Sequence, residues 1–125
     1  MIYGTGIDLI EVERVADKVS KNEGFRELVF TKNEISYCEA RANKYEHYAA
    51  RFAAKEAFFK AMGTGWREST AYNEMEITNN ELGKPELVFT GKTAETVNRI
   101  GPVNISVSLS HLKTMATAIV IIEKR

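Results

Sequence analysis

The residues able to do chemistry concentrate in Arg51-Phe52-Ala53-Ala54-Lys55-Glu56-Ala57-Phe58-Phe59-Lys60, a strongly helix-forming run. At about 100° per residue, Glu56 projects between Phe52 and Phe59, close to Ala49 and Ala53. A carboxylate on an apolar side needs a cation, because an unpaired buried charge is costly or shifts its pKa. Arg51 and Lys55 stand one turn apart on another side of the helix. Like charges at that spacing repel by about 0.2–0.5 kcal/mol, so an anion between them is welcome. One helix therefore offers a place for a metal and a place for phosphate, a combination that points to phosphoryl chemistry. The plainer alternative is an i,i+4 ion pair between Glu56 and Lys60, which lies about 40° further round.

A second carboxylate, Asp8, closes the segment Gly6-Ile7-Asp8. At a strand end it suits a hard cation such as Mg²⁺, which takes carboxylate and phosphate oxygens. It equally suits an N-cap for a helix starting at Leu9 or Ile10. Gly63-Thr64-Gly65 reads as a helix C-terminus that also lets backbone N–H groups approach a phosphate. Gly91-Lys92-Thr93 has the tail of a P-loop but Glu86 stands where that motif needs glycine, so it is rejected. His111, beside Ser108 and Ser110, lacks the surroundings of a serine–histidine pair and reads as an anion-binding or solvent-facing loop residue. Arg14, Lys18 and Lys21 form a basic stripe opposite Val12, Val15 and Val19, diluted by Glu11, Glu13 and Asp17. Such a stripe is a solvated face or a dock for an acidic partner.

Certain elements must position these groups. Strand periodicity covers Ile2 to Asp8, and helical periodicity covers Ile10 to about Lys21, with a further helical turn over Phe25 to Phe30. Thr31 and Glu34 form a capping box for a helix from Lys32 to about Ala42. The main helix runs from about Tyr48 to Met62. Strands follow at Glu74–Thr78 and Pro85–Phe89, then a short helix at Thr93–Ile100 and strands at Val103–Leu109 and Met115–Glu123. The last strand is apolar on both faces, Ala118, Val120 and Ile122 against Ile119 and Ile121, and wants cover on both sides. With few helices available, part of that cover is expected from another subunit.

The composition permits all this and excludes other classes. A chain of 125 residues is one domain with a sizeable core. Its 17 basic and 17 acidic residues cancel, which argues against a dedicated nucleic-acid binder. The single cysteine, Cys38, forms no intrachain disulfide and has no Cys/His cluster for zinc. Met1-Ile2-Tyr3-Gly4 does not open a secretory signal, and no apolar run is long enough to span a bilayer. A cytoplasmic protein is expected.

Taken together, Gly6-Ile7-Asp8-Leu9-Ile10-Glu11, Arg51-Phe52-Ala53-Ala54-Lys55-Glu56-Ala57-Phe58 with Gly63-Thr64-Gly65, Gly83-Lys84-Pro85 and Val107-Ser108-Leu109-Ser110-His111 resemble the short, single-domain 4′-phosphopantetheinyl transferases. The likeness covers essentially the whole chain. It implies an α+β fold, a mostly antiparallel sheet with a long central helix, assembling as a trimer with sites at subunit boundaries. It also implies Mg²⁺-dependent transfer of the 4′-phosphopantetheine arm of coenzyme A to a serine of apo acyl carrier protein, activating the carrier for fatty acid biosynthesis. By carry-over, Asp8 and Glu56 hold Mg²⁺ and Lys60 touches the same phosphate. Arg51, Lys55 and His111 take coenzyme A phosphates, Gly63, Thr64 and Gly65 line the nucleotide, and Lys84 and Pro85 border the adenine. Arg14, Lys18 and Lys21, with Arg26 added, face the acidic carrier. The base is left open between a metal-bound water, Asp8 and Glu34. Two rivals are a metal-dependent nucleotide-pyrophosphate hydrolase and a noncatalytic module that binds coenzyme A or an acidic protein.

Overall fold

The computed structural model describes residues 1–63 and 71–125. Their order is β1 (Ile2–Glu11), α1 (Val12–Lys21), α2 (Phe25–Val29), α3 (Lys32–Glu39), α4 (Lys44–Met62), a 3₁₀ turn (Tyr72–Glu74), β2 (Met75–Asn79), β3 (Pro85–Phe89), α5 (Gly91–Asn98), β4 (Val103–His111) and β5 (Met115–Lys124). An antiparallel sheet in the order β1-β5-β4 is covered on one face by α4, and β2 and β3 form a separate hairpin. This is an α+β arrangement.

Alternation along β1 sets its packing. Gly4, Gly6, Asp8 and Ile10 share the face toward α4, while Thr5, Ile7 and Leu9 point away. The glycines are there because the helix backbone is too close for anything else. A Cβ on Gly6 would sit 1.9 Å from the Ala57 carbonyl oxygen, and one on Gly4 the same distance from that of Ala61. Alanines on the helix side, Ala53, Ala54, Ala57 and Ala61, allow the approach from α4. Phe58 and Phe59, both essentially fully buried, each contribute about 1.5–3 kcal/mol of apolar burial. A second cluster joins α1, α2 and α3 to the N-terminal half of α4 through Val15, Phe30, Cys38 and Tyr48.

Several boundaries differ from the sequence expectation. β1 continues through Glu11, which pairs with Met115, so α1 starts at Val12 and Asp8 lies inside a strand rather than capping a helix. Continuous pairing with β5 satisfies the backbone there, and the glycines that look like breaks are packing residues. α4 starts at Lys44, ahead of Tyr48. β4 extends through His111, which pairs with Ala116, so His111 is a strand residue and not a loop one. α5 starts at Gly91 because Glu74, from the 3₁₀ turn, accepts from the N–H groups of Lys92 at 3.3 Å and Thr93 at 3.1 Å. That carboxylate occupies the helix N-terminus, where a P-loop would cradle phosphate. The Thr31/Glu34 capping box is present, although α3 ends at Glu39.

The outward face of the sheet carries a strip of apolar side chains. Ile7 and Leu9 are 63% and 64% exposed, and their neighbour Ile119 is 39% exposed. Ile121 lies beside them in register, with Ser106, Ser108 and Ser110 along β4. The inward face of β5, Ala116, Ala118, Val120 and Ile122, is buried under α4. Among the described residues, no helix is long and apolar enough to cross a membrane.

Candidate active site

The carboxylates singled out in the sequence both lie where β1 crosses α4, close enough for each charge to act on Tyr72. Gly6 lies against Ala57 and Ala61, and Asp8, one pleat further along the same face, is carried to the helix side next to Lys60. Lys60 Nζ donates to Asp8 Oδ1 at 3.1 Å and to the Ile7 carbonyl at 3.0 Å. Glu56 does not pair with Lys60; its Oε1 accepts from the Tyr72 hydroxyl at 2.7 Å. Burial pushes the Tyr72 phenol well above its usual range, with the Glu56 hydrogen bond and the Glu56 and Asp8 charges adding to the rise. Both carboxylates therefore act on one phenol from opposite elements. Glu56 is half-buried, less enclosed than its position between phenylalanines implies. Among the described residues no group of three or more His, Cys, Asp or Glu is gathered for a metal. Two carboxylates fit an ion such as Mg²⁺, which takes few protein ligands and keeps waters and substrate phosphates for the rest.

Arg51 and Lys55 part company. Lys55 is fully buried and its ammonium donates to Glu34 Oε1 at 2.6 Å, the Val29 carbonyl at 2.7 Å and the Tyr72 carbonyl at 3.0 Å. Its three donors are spent, so the expected contact with coenzyme A phosphate has no support; α3 and the 3₁₀ turn cover that side of α4. Glu34 is likewise removed as a proton acceptor. It is 1% exposed, its Oε1 is taken by Lys55, and its Oε2 accepts from the Ile77 N–H at 2.9 Å.

Arg51 belongs to a different cluster. Its guanidinium lies over the Tyr37 ring at 4.1 Å, with Arg41 over the same ring at 4.2 Å. His47 meets Tyr37 edge-on at 5.5 Å and His111 at 5.0 Å, and His111 Nδ1 lies 2.9 Å from Glu46 Oε1. Burial lowers the His47 pKa, and the His111, Arg51 and Arg41 charges lower it further, the mark of an electropositive neighbourhood. Arg51 Nη2 also donates to Asn79 Oδ1 at 3.3 Å, while its Nε is buried without a partner among the described residues. Asn79 pairs with Pro85, and the Asn80 side chain accepts from the Lys84 N–H at 3.0 Å, so Arg51 reaches the turn end of the hairpin that carries Lys84 and Pro85. Gly63 ends α4 in the left-handed region at φ 79. Thr64 and Gly65 lie outside the described residues.

A family model for the 4′-phosphopantetheinyl transferase superfamily matches residues 4–118, which include Asp8, Glu56 and His111. The chain belongs to that superfamily. It is an enzyme, and full-length relatives carry the name holo-[acyl-carrier-protein] synthase. The one from Cytophaga hutchinsonii is 50% identical over 99% of this chain and 99% of its own, and the one from Geotalea daltonii is 46% identical over 99% and 100%. The solved structure of the synthase from Neisseria meningitidis superposes with a TM-score of 0.90 at 31% identity, covering 99% of this chain and 100% of its own. That from Bacillus anthracis, in complex with CoA (3′,5′-ADP), gives 0.83 at 34% identity, covering 100% and 99%.

In this phosphopantetheinyl transferase the basic stripe of α1 is partly engaged. Lys18 Nζ lies over the Phe25 and Phe52 rings at 5.7 and 5.9 Å, and Lys21 pairs with Asp17 at 3.3 Å. Arg26 is held by Glu27 at 2.8 Å and Glu39 at 3.4 Å, whereas Arg14 is exposed. Pairs this exposed are worth little and exchange readily for another acid. A cavity of about 480 Å³ opens between the start of α4 and the β4–β5 hairpin, bordered by Lys44, Tyr45, Glu46 and Lys113. It adjoins the His111 cluster rather than the carboxylates. Tyr72, Tyr37 and Glu46 escape sequence reasoning. None sits in a motif; Tyr37 falls within the helix that the capping box starts, whereas Glu46 precedes the expected start of the main helix at Tyr48.

Proposed function

We propose that this transferase moves the 4′-phosphopantetheine arm of coenzyme A to a serine hydroxyl of apo acyl carrier protein, with Mg²⁺ held by Asp8 and Glu56. The approach of those carboxylates from β1 and α4 to one phenol, beside the exposed Lys60, carries the reading. When bound, the ion polarises the pyrophosphate and offsets charge on the leaving group. The carrier serine oxygen attacks the pantetheine-side phosphorus, the anhydride P–O bond breaks, and adenosine 3′,5′-bisphosphate departs. Lys60, a salt bridge away from Asp8, reaches the same phosphate. With Glu34 locked to Lys55, Asp8 is the carboxylate of this chain nearest to the role of proton acceptor. Arg14, Lys18 and Lys21 face the acidic carrier in a cytoplasmic setting.

Arg51 and His111 serve the nucleotide phosphates, and the spacing along α4 favours their coming from a neighbouring subunit of a homotrimer. Glu46, which holds His111, and Glu56 are ten residues apart, about 15 Å along the axis. Arg51 lies about 140° round the helix from Glu56. The open strip of Ile7, Leu9 and Ile119 gives such a trimer an apolar contact. Sedimentation should give three chain masses, and mixing an Asp8→Ala protein with an Arg51→Ala protein should restore activity that neither has alone. A monomer with full activity would remove the shared site.

Incubating the protein with coenzyme A, Mg²⁺ and apo carrier, and weighing the carrier by mass spectrometry, tests the reaction. The expected result is a phosphopantetheine adduct that EDTA prevents. Asp8→Ala and Glu56→Ala should each lose at least about 100-fold in rate, the worth of several kcal/mol of charge stabilisation. In the same assay Arg14→Glu should raise KM for the carrier and leave that for coenzyme A unchanged. Consumption of coenzyme A without a carrier would favour the hydrolase instead.

A further inference from the structure

We propose that Tyr72 is a positioning residue for Glu56, its hydroxyl fixing the carboxylate rotamer that faces Asp8. This rests on the metal-binding reading above. The hydroxyl donates to Glu56 Oε1 at 2.7 Å, which leaves Oε2 as the oxygen open to an ion. A metal-ligating carboxylate held in this way keeps its orientation without the ion, so less ordering is required when the ion arrives.

The phenol is itself held rigidly. Its ring stacks on Phe52, with centroids 5.9 Å apart and planes 16° from parallel, and meets Phe59 edge-on at 5.1 Å. Those phenylalanines flank Glu56 on α4, so the ring and the carboxylate share one wall. The backbone of the 3₁₀ turn is fastened from α4 again and from α5. Lys55 donates to the Tyr72 carbonyl at 3.0 Å, and the Ala71 N–H donates to Thr93 Oγ1 at 3.0 Å. Glu74, at the other end of the turn, caps α5 through the Thr93 N–H at 3.1 Å. Buried Lys55 thus acts on the site indirectly: its bond to the Tyr72 carbonyl sets where the hydroxyl is delivered.

Tyr72→Phe removes the hydroxyl and keeps both ring contacts. Titrating the full chain with Mn²⁺, read by the electron paramagnetic resonance of the free ion, should give a dissociation constant about 10- to 100-fold above wild type. The affinity for coenzyme A in EDTA should stay where it is, and the urea midpoint should fall only by the loss of one hydrogen bond. In a Glu56→Gln background, Tyr72→Phe should have no further effect on Mn²⁺ binding. Mn²⁺ binding by Tyr72→Phe as tight as wild type, or tighter, would mean that the phenol only occupies the carboxylate, and would overturn the proposal. So would an additive loss in the Glu56→Gln background. Wild-type protein that fails to bind Mn²⁺ at all would instead sink the metal reading, a result told apart before any variant is made.

Discussion

Lys55→Met, with Glu34 left in place, should destabilise the protein by about 3–5 kcal/mol, a large share of the roughly 5–15 kcal/mol that holds a domain together. The loss comes from what remains behind. Glu34 becomes a carboxylate at 1% exposure without its cation, and the Val29 and Tyr72 carbonyls lose the ammonium that donated to them at 2.7 and 3.0 Å. Burial outweighs Glu34 in pulling the Lys55 pKa down, so the pair is expensive to assemble as well as to break. Adding Glu34→Gln should recover part of the loss, because glutamine removes the stranded charge and keeps an acceptor for the Ile77 N–H. Urea unfolding of both single variants and the double gives the coupling. Strict additivity would show that the two groups do not hold each other, and a single variant as stable as wild type would remove the pair from the fold's supports. If Lys55 bound phosphate instead, its loss would lower activity and spare stability.

That distinction was not legible in the sequence. Arg51 and Lys55 are like charges one turn apart on the same helix, and nothing in their spacing tells which side α3 and the 3₁₀ turn will cover. The Thr31/Glu34 capping box is readable because it is a local pattern, but that Glu34 also neutralises Lys55 depends on a residue 21 positions away. Pro85–Phe89 has the predicted bounds as β3, because its turn chemistry and alternation are both local. His111 looks like a loop residue in the sequence because polar neighbours hide a strand that β5 continues to pair. Asp8 pairs with Ala118 inside β1, so its alternative as a helix cap fails. Gly4 and Gly6 look like punctuation, and only the closeness of α4 reveals them as the residues that let the strand run on through Asp8 against the helix. Tyr72 had no signal at all, since its importance lies in a bond to Glu56 that no periodicity encodes.

Gly6→Ala should therefore be the substitution outside the carboxylates that damages the site most. The added Cβ would lie 1.9 Å from the Ala57 carbonyl oxygen and 2.8 Å from the Ala61 nitrogen, both backbone atoms that no rotamer change can move. Relief requires β1 and α4 to separate, at a cost above the roughly 1–3 kcal/mol of ordinary overpacking. The separation opens between Asp8 on the strand and Glu56 on the helix, and a misplacement of about 1 Å at a reacting centre costs on the order of 100-fold in rate. Thr5→Ala is the matched control, since Thr5 is exposed on the opposite face of the same strand. It should be close to neutral. The prediction is a folded but destabilised Gly6→Ala protein whose Mn²⁺ affinity and transfer rate fall together, measured at a temperature where circular dichroism shows it native. Loss of stability with metal binding intact would mean that α4 and β1 can part without moving the carboxylates. The close crossing would then be a packing feature alone, and the glycines of β1 would have no bearing on the chemistry.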